Sequence, residues 1–582
     1  MSVLDRINVA AVIAFSVTVT GMCMLIAIVI PLTDNANLTT DASDPTWWTS
    51  GVIYRLNIYA FFDSNGDGIG DLAGVRHKLE HLKWLGVGTI WLTPFYESPW
   101  LDYGFDVTDH QKIDPIFGNE FEFTKLIELS HKLGPNAFGP NLICSFDPRQ
   151  VSRYSGSAWS WSKQRAQFYY HQYTAQQPDL NLRNKNVRED LAKVLQFWME
   201  LGVDGFRFDS VSYLVESNEL RDNPTKLSSS DRIYDNFDHQ YDARQPENTE
   251  ILSYFVGVVK EYNERNHKNV ITVAATELSD KEVQSFQTEG VDLLISLDLT
   301  HIQANLGTSI IRRWVERWIN GISQFKARGW MLSSLDAPRI ATKLGGPQFT
   351  KIAHLLLLLL PGVPVIYYGD EIGMTDVFVD FEKIRDPLGI DFGPNRYQQF
   401  ARDFFRSAMQ WSPQLLGGFS TKPDVYLRQP LAFNYSTVNV EVQLETQNSN
   451  LNFIRSLIQL RKQLFFEWET FKFFDTKTED VLGFQVYSKS LQSVIVGLLN
   501  FASTYGLQSI IDIGDQVNSD QGLVLGHAGP FGSNLRVQAE PVMLNNIALN
   551  SAHGLIVRVL RKTDTTLWNF NLGATFGSVD KL

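Results

Sequence analysis

Eight short runs rich in β-branched and aromatic residues recur along the chain, and most are followed by a segment whose apolar residues have helical spacing. Strands that alternate with helices are typical of parallel sheets, and eight such units close into a barrel. The runs cover residues 52–59, 88–93, 141–146, 205–209, 273–277, 293–297, 330–336 and 363–371. The sequence therefore predicts an α/β fold whose main part is a (β/α)8 TIM barrel.

Two regions depart from this alternation of strands and helices. The stretch at about residues 149–184 is rich in Trp, Tyr, Gln and Ser and predicts a subdomain inserted after the third strand. Residues 467–562 contain short runs separated by Gly and Asn turns, which indicates a C-terminal antiparallel β domain. The predicted barrel thus covers residues 47–466 with its insertion, and a tail covers residues 563–582.

An uncharged run dense in Val, Ile, Ala and Leu occupies residues 7–31. About 20 apolar residues span a bilayer as a helix, whereas the apolar core of a cleaved signal peptide has only about 7–15. The run therefore predicts one transmembrane helix, with a cleaved signal peptide as the alternative. Arg6 precedes the run, and the stalk at residues 32–46 carries aspartates but no Lys or Arg. This asymmetry predicts a type II plasma-membrane protein with a cytoplasmic stub at residues 1–6 and the rest outside.

The composition excludes several classes of function. There are 51 Lys and Arg against 64 Asp and Glu, a net charge of −13, and no basic block, so nucleic acid is not an expected partner. The two cysteines, Cys23 and Cys144, cannot build a disulfide scaffold. Sequons at Asn37 and Asn434 suit an extracellular, glycosylated domain.

Three acidic residues, Asp209, Glu277 and Asp336, each lie at the C-terminal end of a different predicted strand. Catalytic groups of parallel barrels converge at that rim. One acid there is more typical of a helix cap, but three on separate strands favour a catalytic site. Arg207 lies two positions before Asp209, so both side chains point to the same face of their strand.

Seven short motifs follow one another in a specific order. They are DSNGDGIGD at residues 63–71, DYGFD at 102–106, QPDLN at 177–181, GFRFD at 205–209, ATE at 275–277, DAPR at 336–339 and YYGDE at 367–371. With these motifs the chain resembles glycoside hydrolase family 13, the α-amylase family, and in particular its oligo-1,6-glucosidase and α-glucosidase branch. The same fold also forms the ectodomain of the heavy chains of heteromeric amino-acid transporters. Those heavy chains are single-pass proteins that serve as chaperones rather than as hydrolases.

The resemblance implies a retaining mechanism, in which two carboxyl groups lie about 5–5.5 Å apart across the sugar. It makes Asp209 the nucleophile, Glu277 the general acid/base, and Asp336 the group that stabilises the oxocarbenium-like sugar. Arg207 would keep the nucleophile ionised by its opposite charge. The alternative is a relict cluster of salt bridges.

The resemblance also assigns a substrate-binding shell, in which this chain departs from the family. Asp102 matches the residue that holds the non-reducing-end glucose in exo-acting members, which implies short α-glucosides of the maltose type. Arg339 would orient the acids or cap a helix. Phe105 and Gln150 stand where the family usually has Tyr and His, and Leu335 replaces a second His. Gln150 still offers a donor to a sugar hydroxyl, whereas Leu335 does not, and a lost donor typically costs about 10²-fold or more in rate.

The first of the seven motifs places oxygen-bearing groups at alternating positions. Oxygen ligands at this spacing, with glycines that permit a tight turn, suit a structural Ca²⁺ ion. The alternative is an Asn/Gly turn with surface acids. The expected ligands are Asp63, Asn65, Asp67, the carbonyl of Ile69, and Asp71.

Two functions are consistent with these features. The first is a membrane-anchored extracellular α-glucosidase, which the intact set of acids favours. The second is a catalytically weak or inactive heavy chain that supports a multi-span amino-acid transporter. A covalent heavy chain would need a cysteine just outside the membrane, and residues 33–45 contain none. A transporter partner would therefore be bound non-covalently, and we expect a hydrolase on balance.

Overall fold

The structure is a computed structural model. It describes residues 47–49, 51–133, 138–141, 152–154, 156–219, 221–226, 233–275, 280–321, 328–464, 466–502, 507–529 and 540–560, and the backbone of residues 15–16 and 24–27.

The strands and helices of the described residues are numbered in chain order. The strands are β1 (Phe15–Ser16), β2 (Met24–Ala27), β3 (Ile53–Leu56), β4 (Thr89–Leu92), β5 (Tyr96–Glu97), β6 (Asp109–Ile113), β7 (Phe138–Asn141), β8 (Trp159–Ser162), β9 (Gln167–Tyr170), β10 (Gly205–Asp209), β11 (Ile271–Ala275), β12 (Leu293–Ser296), β13 (Arg328–Met331), β14 (Val363–Tyr367), β15 (Phe466–Phe474), β16 (Val481–Ser488), β17 (Ser493–Asn500), β18 (Gln508–Ile511), β19 (Gln521–Ala528), β20 (Glu540–Met543), β21 (Ile547–Asn550) and β22 (Gly554–Val559). The helices are α1 (Leu72–His77), α2 (Leu79–Leu85), α3 (Glu120–Leu133), α4 (Lys185–Glu200), α5 (Glu247–Asn266), α6 (Asp280–Thr288), α7 (Thr308–Asn320), α8 (Ile340–Lys343), α9 (Thr350–Leu359), α10 (Pro387–Phe392), α11 (Val440–Glu445), α12 (Asn450–Leu464) and α13 (Gly514–Val517).

Parallel strands in chain order form the barrel sheet. Parallel ladders join β3 to β4, β7 to β10, and each neighbour from β10 through β14 and back to β3. Between β4 and β7 the described residues form no ladder, and β2 pairs with β7 in antiparallel orientation there. The predicted TIM barrel is confirmed as the main part of the fold.

Of the eight predicted strands only residues 205–209 keep both bounds in the structure, and two of the differences affect the site. The third was expected at residues 141–146, but β7 is Phe138–Asn141, and residues 142–150 lie outside the described part. The seventh was expected at residues 330–336, but β13 ends at Met331. The chain turns back on itself soon afterwards, because Ser334 forms a backbone bridge with Ala337. Asp336 therefore lies in a tight loop rather than on a strand.

Most of the predicted membrane-spanning run at residues 7–31 lies outside the described part, and the segments β1 and β2 within it are extended. Among the described residues no helix combines the length and the apolar character that a bilayer crossing needs. The transmembrane helix therefore stays a prediction.

The additions to the barrel follow the expected pattern. The antiparallel hairpin of β8 and β9 belongs to the insertion after the third barrel strand. After α12 comes an antiparallel sheet in the order β15-β16-β17-β22-β19-β20, beside the pair β18 and β21. The predicted C-terminal β domain is thus confirmed.

Helix α9 connects the two domains. All its residues are buried, and a run of leucines makes it apolar on every side, as expected of a helix in the interior. It packs against α12 of the barrel and against β17 and β19 of the C-terminal sheet. Lys351 crosses the same boundary, because its Nζ donates to the Asn448 carbonyl at 2.7 Å and to the Gly529 carbonyl at 3.3 Å.

Candidate active site

The pair Arg207 and Asp209 lies at the C-terminal end of β10. Nη1 of Arg207 donates to Oδ2 of Asp209 at 2.6 Å, and Nη2 donates to Oδ1 at 2.7 Å. Nη2 also donates to the Ala275 carbonyl at 3.2 Å, which ties the pair to the end of β11. Burial raises the pKa of Asp209 above its ordinary value, and Arg207 opposes that rise. This two-pronged pairing fixes the orientation of the carboxylate.

The Asp336 carboxylate faces three arginines. Nη2 of Arg406 lies 3.1 Å and Nη1 of Arg402 lies 3.4 Å from its Oδ1, and Nη2 of Arg55 lies 3.7 Å from its Oδ2. Partial burial raises the pKa of Asp336, but these three arginines and Arg207 outweigh that effect and lower the pKa to about 2. The side chain is 48% exposed, so an ionised carboxylate faces the cleft at any physiological pH.

Asp102 is buried at the opposite side of Arg402. Its Oδ1 accepts from Nη2 of Arg402 at 3.0 Å, and its Oδ2 accepts from the Tyr154 hydroxyl at 2.9 Å and from Nε2 of Gln177 at 3.3 Å. Arg402 also donates to Asp386 from Nε at 2.9 Å and from Nη2 at 2.6 Å. Burial raises the pKa of Asp102, and Arg402 opposes it. One guanidinium therefore links Asp102, Asp386 and Asp336.

Aromatic rings hold Arg406 in place. Its Cζ lies 4.5 Å from the ring centroid of Tyr103 and 6.0 Å from that of Phe105, which is buried. Nε of Arg406 donates to the Leu335 carbonyl at 2.9 Å. The Tyr103 hydroxyl donates to Asp403 in turn. Phe105 thus supports an arginine that contacts Asp336.

Arg339 occupies a different environment. Its Nη1 donates to the Tyr368 carbonyl at 2.6 Å and lies 3.5 Å from Oδ1 of Asp370. The guanidinium is fully buried over the rings of Tyr367 and Tyr368. The structure does not bring Arg339 together with Asp209 or Asp336 in any contact between described residues.

Two of the predicted site residues, Glu277 and Gln150, lie outside the described residues. The chain is described up to Ala275, which pairs in register with Asp209, and again from Asp280 at the start of α6.

The predicted calcium loop is closed by its own hydrogen bonds. Asp63 is buried, and its carboxylate accepts from the amides of Gly66 at 2.6 Å and Gly68 at 2.9 Å and from Oγ of Ser420 at 2.6 Å. Asp71 caps α1 by accepting from the amide of Gly74 at 2.6 Å.

In the middle of the loop, side-chain oxygens likewise accept hydrogen bonds from backbone amides. The Asp67 amide donates to Oδ1 of Asn65 at 2.9 Å, and the Ile69 amide donates to Oδ1 of Asp67 at 2.9 Å. Nζ of Lys422 lies 3.3 Å from the Gly66 carbonyl. Within the described ranges no group of three or more His, Cys, Asp or Glu side chains gathers around a common metal position.

Comparison with known proteins identifies the family to which this barrel belongs. The family model of the α-amylase catalytic domain matches residues 57–138 and 144–467. The chain belongs to the α-amylase family of glycoside hydrolases.

The proteins similar to this chain include both kinds considered from the sequence, an α-glucosidase and a transporter heavy chain. An α-glucosidase of Apis mellifera is 30% identical over 453 residues, which cover 72% of this chain and 79% of that protein. The human amino acid transporter heavy chain SLC3A1 is 29% identical over 501 residues, which cover 78% of this chain and 69% of that protein. The crystal structure of the α-glucosyl transfer enzyme XgtA has a TM-score of 0.71 and 26% identity, covering 88% of this chain and all of that one.

Four charged residues of this α-amylase-family site were not expected from the sequence. Arg402, Arg406 and Asp386 come from the long segment after β14, where charged residues are usually solvated and no motif marked them. That segment follows the last strand of the barrel. Because loops after barrel strands carry active sites, its position alone could have indicated that it contributes site residues. Arg55 gave no signal, because a lone arginine in an apolar strand has no pattern of its own.

Proposed function

We propose that the chain is an α-glucosidase that removes terminal glucose from short α-glucosides with retention of configuration. One observation carries this proposal: an arginine-bound Asp209 and an ionised Asp336 lie at the barrel rim, and the buried pair of Asp102 and Arg402 adjoins Asp336. The similarity to an insect α-glucosidase supports it.

The two described acids suit different roles. Asp209 has one orientation because both oxygens accept from Arg207, so it is placed to attack the anomeric carbon. Asp336 keeps its negative charge because arginines lower its pKa to about 2, and that charge stabilises a cationic, oxocarbenium-like sugar. Glu277 would protonate the leaving group and then activate water, a role that rests on its motif alone.

The buried end of the site suits the terminal glucose. Asp102 and Arg402 form a polar pair whose orientation is fixed by Tyr154, Gln177 and Asp386. Fixed polar groups in a buried position select hydroxyls of matching geometry and reject substrates that leave them unpaired. A chain end, rather than the middle of a polymer, would fit this position.

A second candidate function is the transporter heavy chain. The similarity to SLC3A1, the apolar run at residues 7–31 and the apolar Leu335 favour it. In both candidates we propose a single-pass type II protein of the plasma membrane with the barrel outside. A multi-span transport subunit would be held without a disulfide.

We also propose that the loop at residues 63–71 holds a structural Ca²⁺ ion. Its donors are all oxygens, and Oδ2 of both Asp67 and Asp71 accepts one hydrogen bond in the described part, which leaves lone pairs for a cation. Chelation with EGTA should lower the melting temperature of the full chain by several degrees, and added Ca²⁺ should restore it. An unchanged melting temperature with no Ca²⁺ found by elemental analysis would exclude the ion.

Hydrolysis by the full-length chain tests the first candidate. The purified protein is assayed in detergent on maltose and p-nitrophenyl α-glucoside beside Asp209→Asn, and proton NMR identifies the anomer released first. We expect α-glucose from the wild type and a loss of at least about 10³-fold in the variant. Equal background rates from both proteins, with a transporter co-purifying from cells, would favour the heavy chain instead.

A further inference from the structure

Arg55 is an arginine with unused donors inside the barrel. It lies on β3, its side chain is 2% exposed, and its Cζ lies 4.1 Å above the ring of Trp91. Neither Nε nor Nη2 has a hydrogen-bond partner among the residues that the structure describes. Burying unpaired guanidinium donors is costly, so such a residue is not explained by the stability of the fold.

The Trp91 ring brings Arg55 close to Arg207, the partner of Asp209. Arg55 pairs with Trp91 on β4 and with Tyr367 on β14, and neighbouring residues of parallel strands point to the same side. Arg207 lies over the same Trp91 ring at 4.6 Å. Arg55 and Arg207 thus share one aromatic surface in the barrel interior.

The two oxygens of Asp336 are held unequally. Oδ1 has two close arginine partners, at 3.1 Å and 3.4 Å, whereas Oδ2 faces Nη2 of Arg55 at 3.7 Å. That distance exceeds a hydrogen bond by about half an ångström. Catalytic hydrogen bonds are often long in a free enzyme and shorten when substrate binds.

We propose that Arg55 is a positioning residue for Asp336, which closes onto Oδ2 when a sugar occupies the site. It then clamps the carboxylate from the side opposite Arg406 and Arg402. This inference rests on the proposed function. Arg55 would thereby supply part of the support for Asp336 at a site in which Leu335 offers no side-chain donor.

The charges that face Asp336 set the expected effect of removing Arg55. Arg55 from β3 and Arg402 and Arg406 from the segment after β14 contact Asp336, and Arg207 and Asp209 from β10 interact with it electrostatically. Loss of one positive charge favours the protonated forms of Asp336 and Asp209. The acid limb of the pH profile should therefore move to higher pH.

The test compares Arg55→Gln and Arg55→Lys with Arg328→Met in the full-length protein. Arg328 is a matched control, because it is also a fully buried arginine on a strand of the barrel sheet, but it lies at the N-terminal end of β13. We expect Arg55→Gln to lower kcat about 10- to 100-fold, with partial rescue by Arg55→Lys. We expect the melting temperature of Arg55→Gln to equal or exceed that of the wild type.

A second readout separates this proposal from the proposed function. Calorimetric titration with 1-deoxynojirimycin, a cationic sugar mimic, over pH 3–7 reports the ionised carboxylates without turnover. Arg55→Gln should lose affinity at a higher pH than the wild type. If the wild type binds this mimic but cleaves no α-glucoside, the proposed function fails while the titration still decides the role of Arg55. A melting temperature well below that of the wild type, or an unshifted pH dependence, would overturn the proposal.

Discussion

The Tyr154 hydroxyl donates to Oδ2 of Asp102 at 2.9 Å, so a residue of the inserted subdomain completes a site on the barrel. Asp102 belongs to the segment after β4, and Tyr154 lies over the guanidinium of Arg402 with 4.9 Å between ring centroid and Cζ. The insertion therefore contributes directly to the buried end of the cleft.

Tyr154→Phe should lower kcat/KM for maltose about 10-fold, because a hydrogen bond to a charged carboxylate is lost while the ring stays. Tyr169→Phe is the control, since its hydroxyl donates to the Ala175 carbonyl within the same subdomain. Steady-state kinetics of both variants check the expectation. Equal losses would mean that the subdomain acts only as a whole.

Arg402→Met should reduce the free energy of unfolding by about 3–5 kcal/mol, because Asp102 and Asp386 would stay buried without their cation. Denaturant titration measures this loss. Adding Asp386→Asn should recover part of the stability without restoring activity. Arg312→Met removes a half-exposed pair with Glu316 and should cost about 1 kcal/mol or less.

The acid limb of kcat/KM should report Asp209 rather than Asp336. Burial raises the pKa of Asp209 above 3.8, whereas arginines lower that of Asp336 to about 2. Activity should therefore fall as the pH drops below an apparent pKa above 3.8, at which Asp336 is still charged. A pH profile on p-nitrophenyl α-glucoside checks this order, and full activity at pH 3 would contradict it.

Glu371→Gln should stabilise the protein at alkaline pH. Burial raises the pKa of Glu371 to about 7, and its Oε1 accepts from the Tyr54 hydroxyl at 2.8 Å. Because the folded pKa exceeds the ordinary value, the protonated form contributes stability below pH 4.5 that is lost as the pH rises towards 7. The melting temperature of the variant should exceed that of the wild type more at pH 8 than at pH 5. The exposed Glu128→Gln should show no such difference.

The sequence predicted those parts of the site that lie on regular elements. Strand alternation places Arg207 and Asp209 on one face of β10, and the structure joins them by two hydrogen bonds. Asp336 was expected on a strand but lies in a loop, because the backbone bridge between Ser334 and Ala337 forms a tight local turn there.

The arginines around Asp336 could not be predicted, because their position depends on how a long segment folds over the barrel. Arg402 and Arg406 lie 66 and 70 residues from Asp336 in the chain. Arg339 was expected to orient the acids or to cap a helix. It stands directly before α8 without a side-chain cap, and only the packing of Tyr367 and Tyr368 reveals its buried position. Distances of this kind follow from tertiary packing rather than from local pattern.

The leucine-rich α9 makes the C-terminal sheet an integral part of the molecule. Its buried side chains face the barrel helix α12 and strands β17 and β19 at once. A chain truncated before β15 would leave a continuous apolar surface in water, which favours aggregation. Truncations that keep all the acids and arginines around Asp336 should therefore still yield little folded protein.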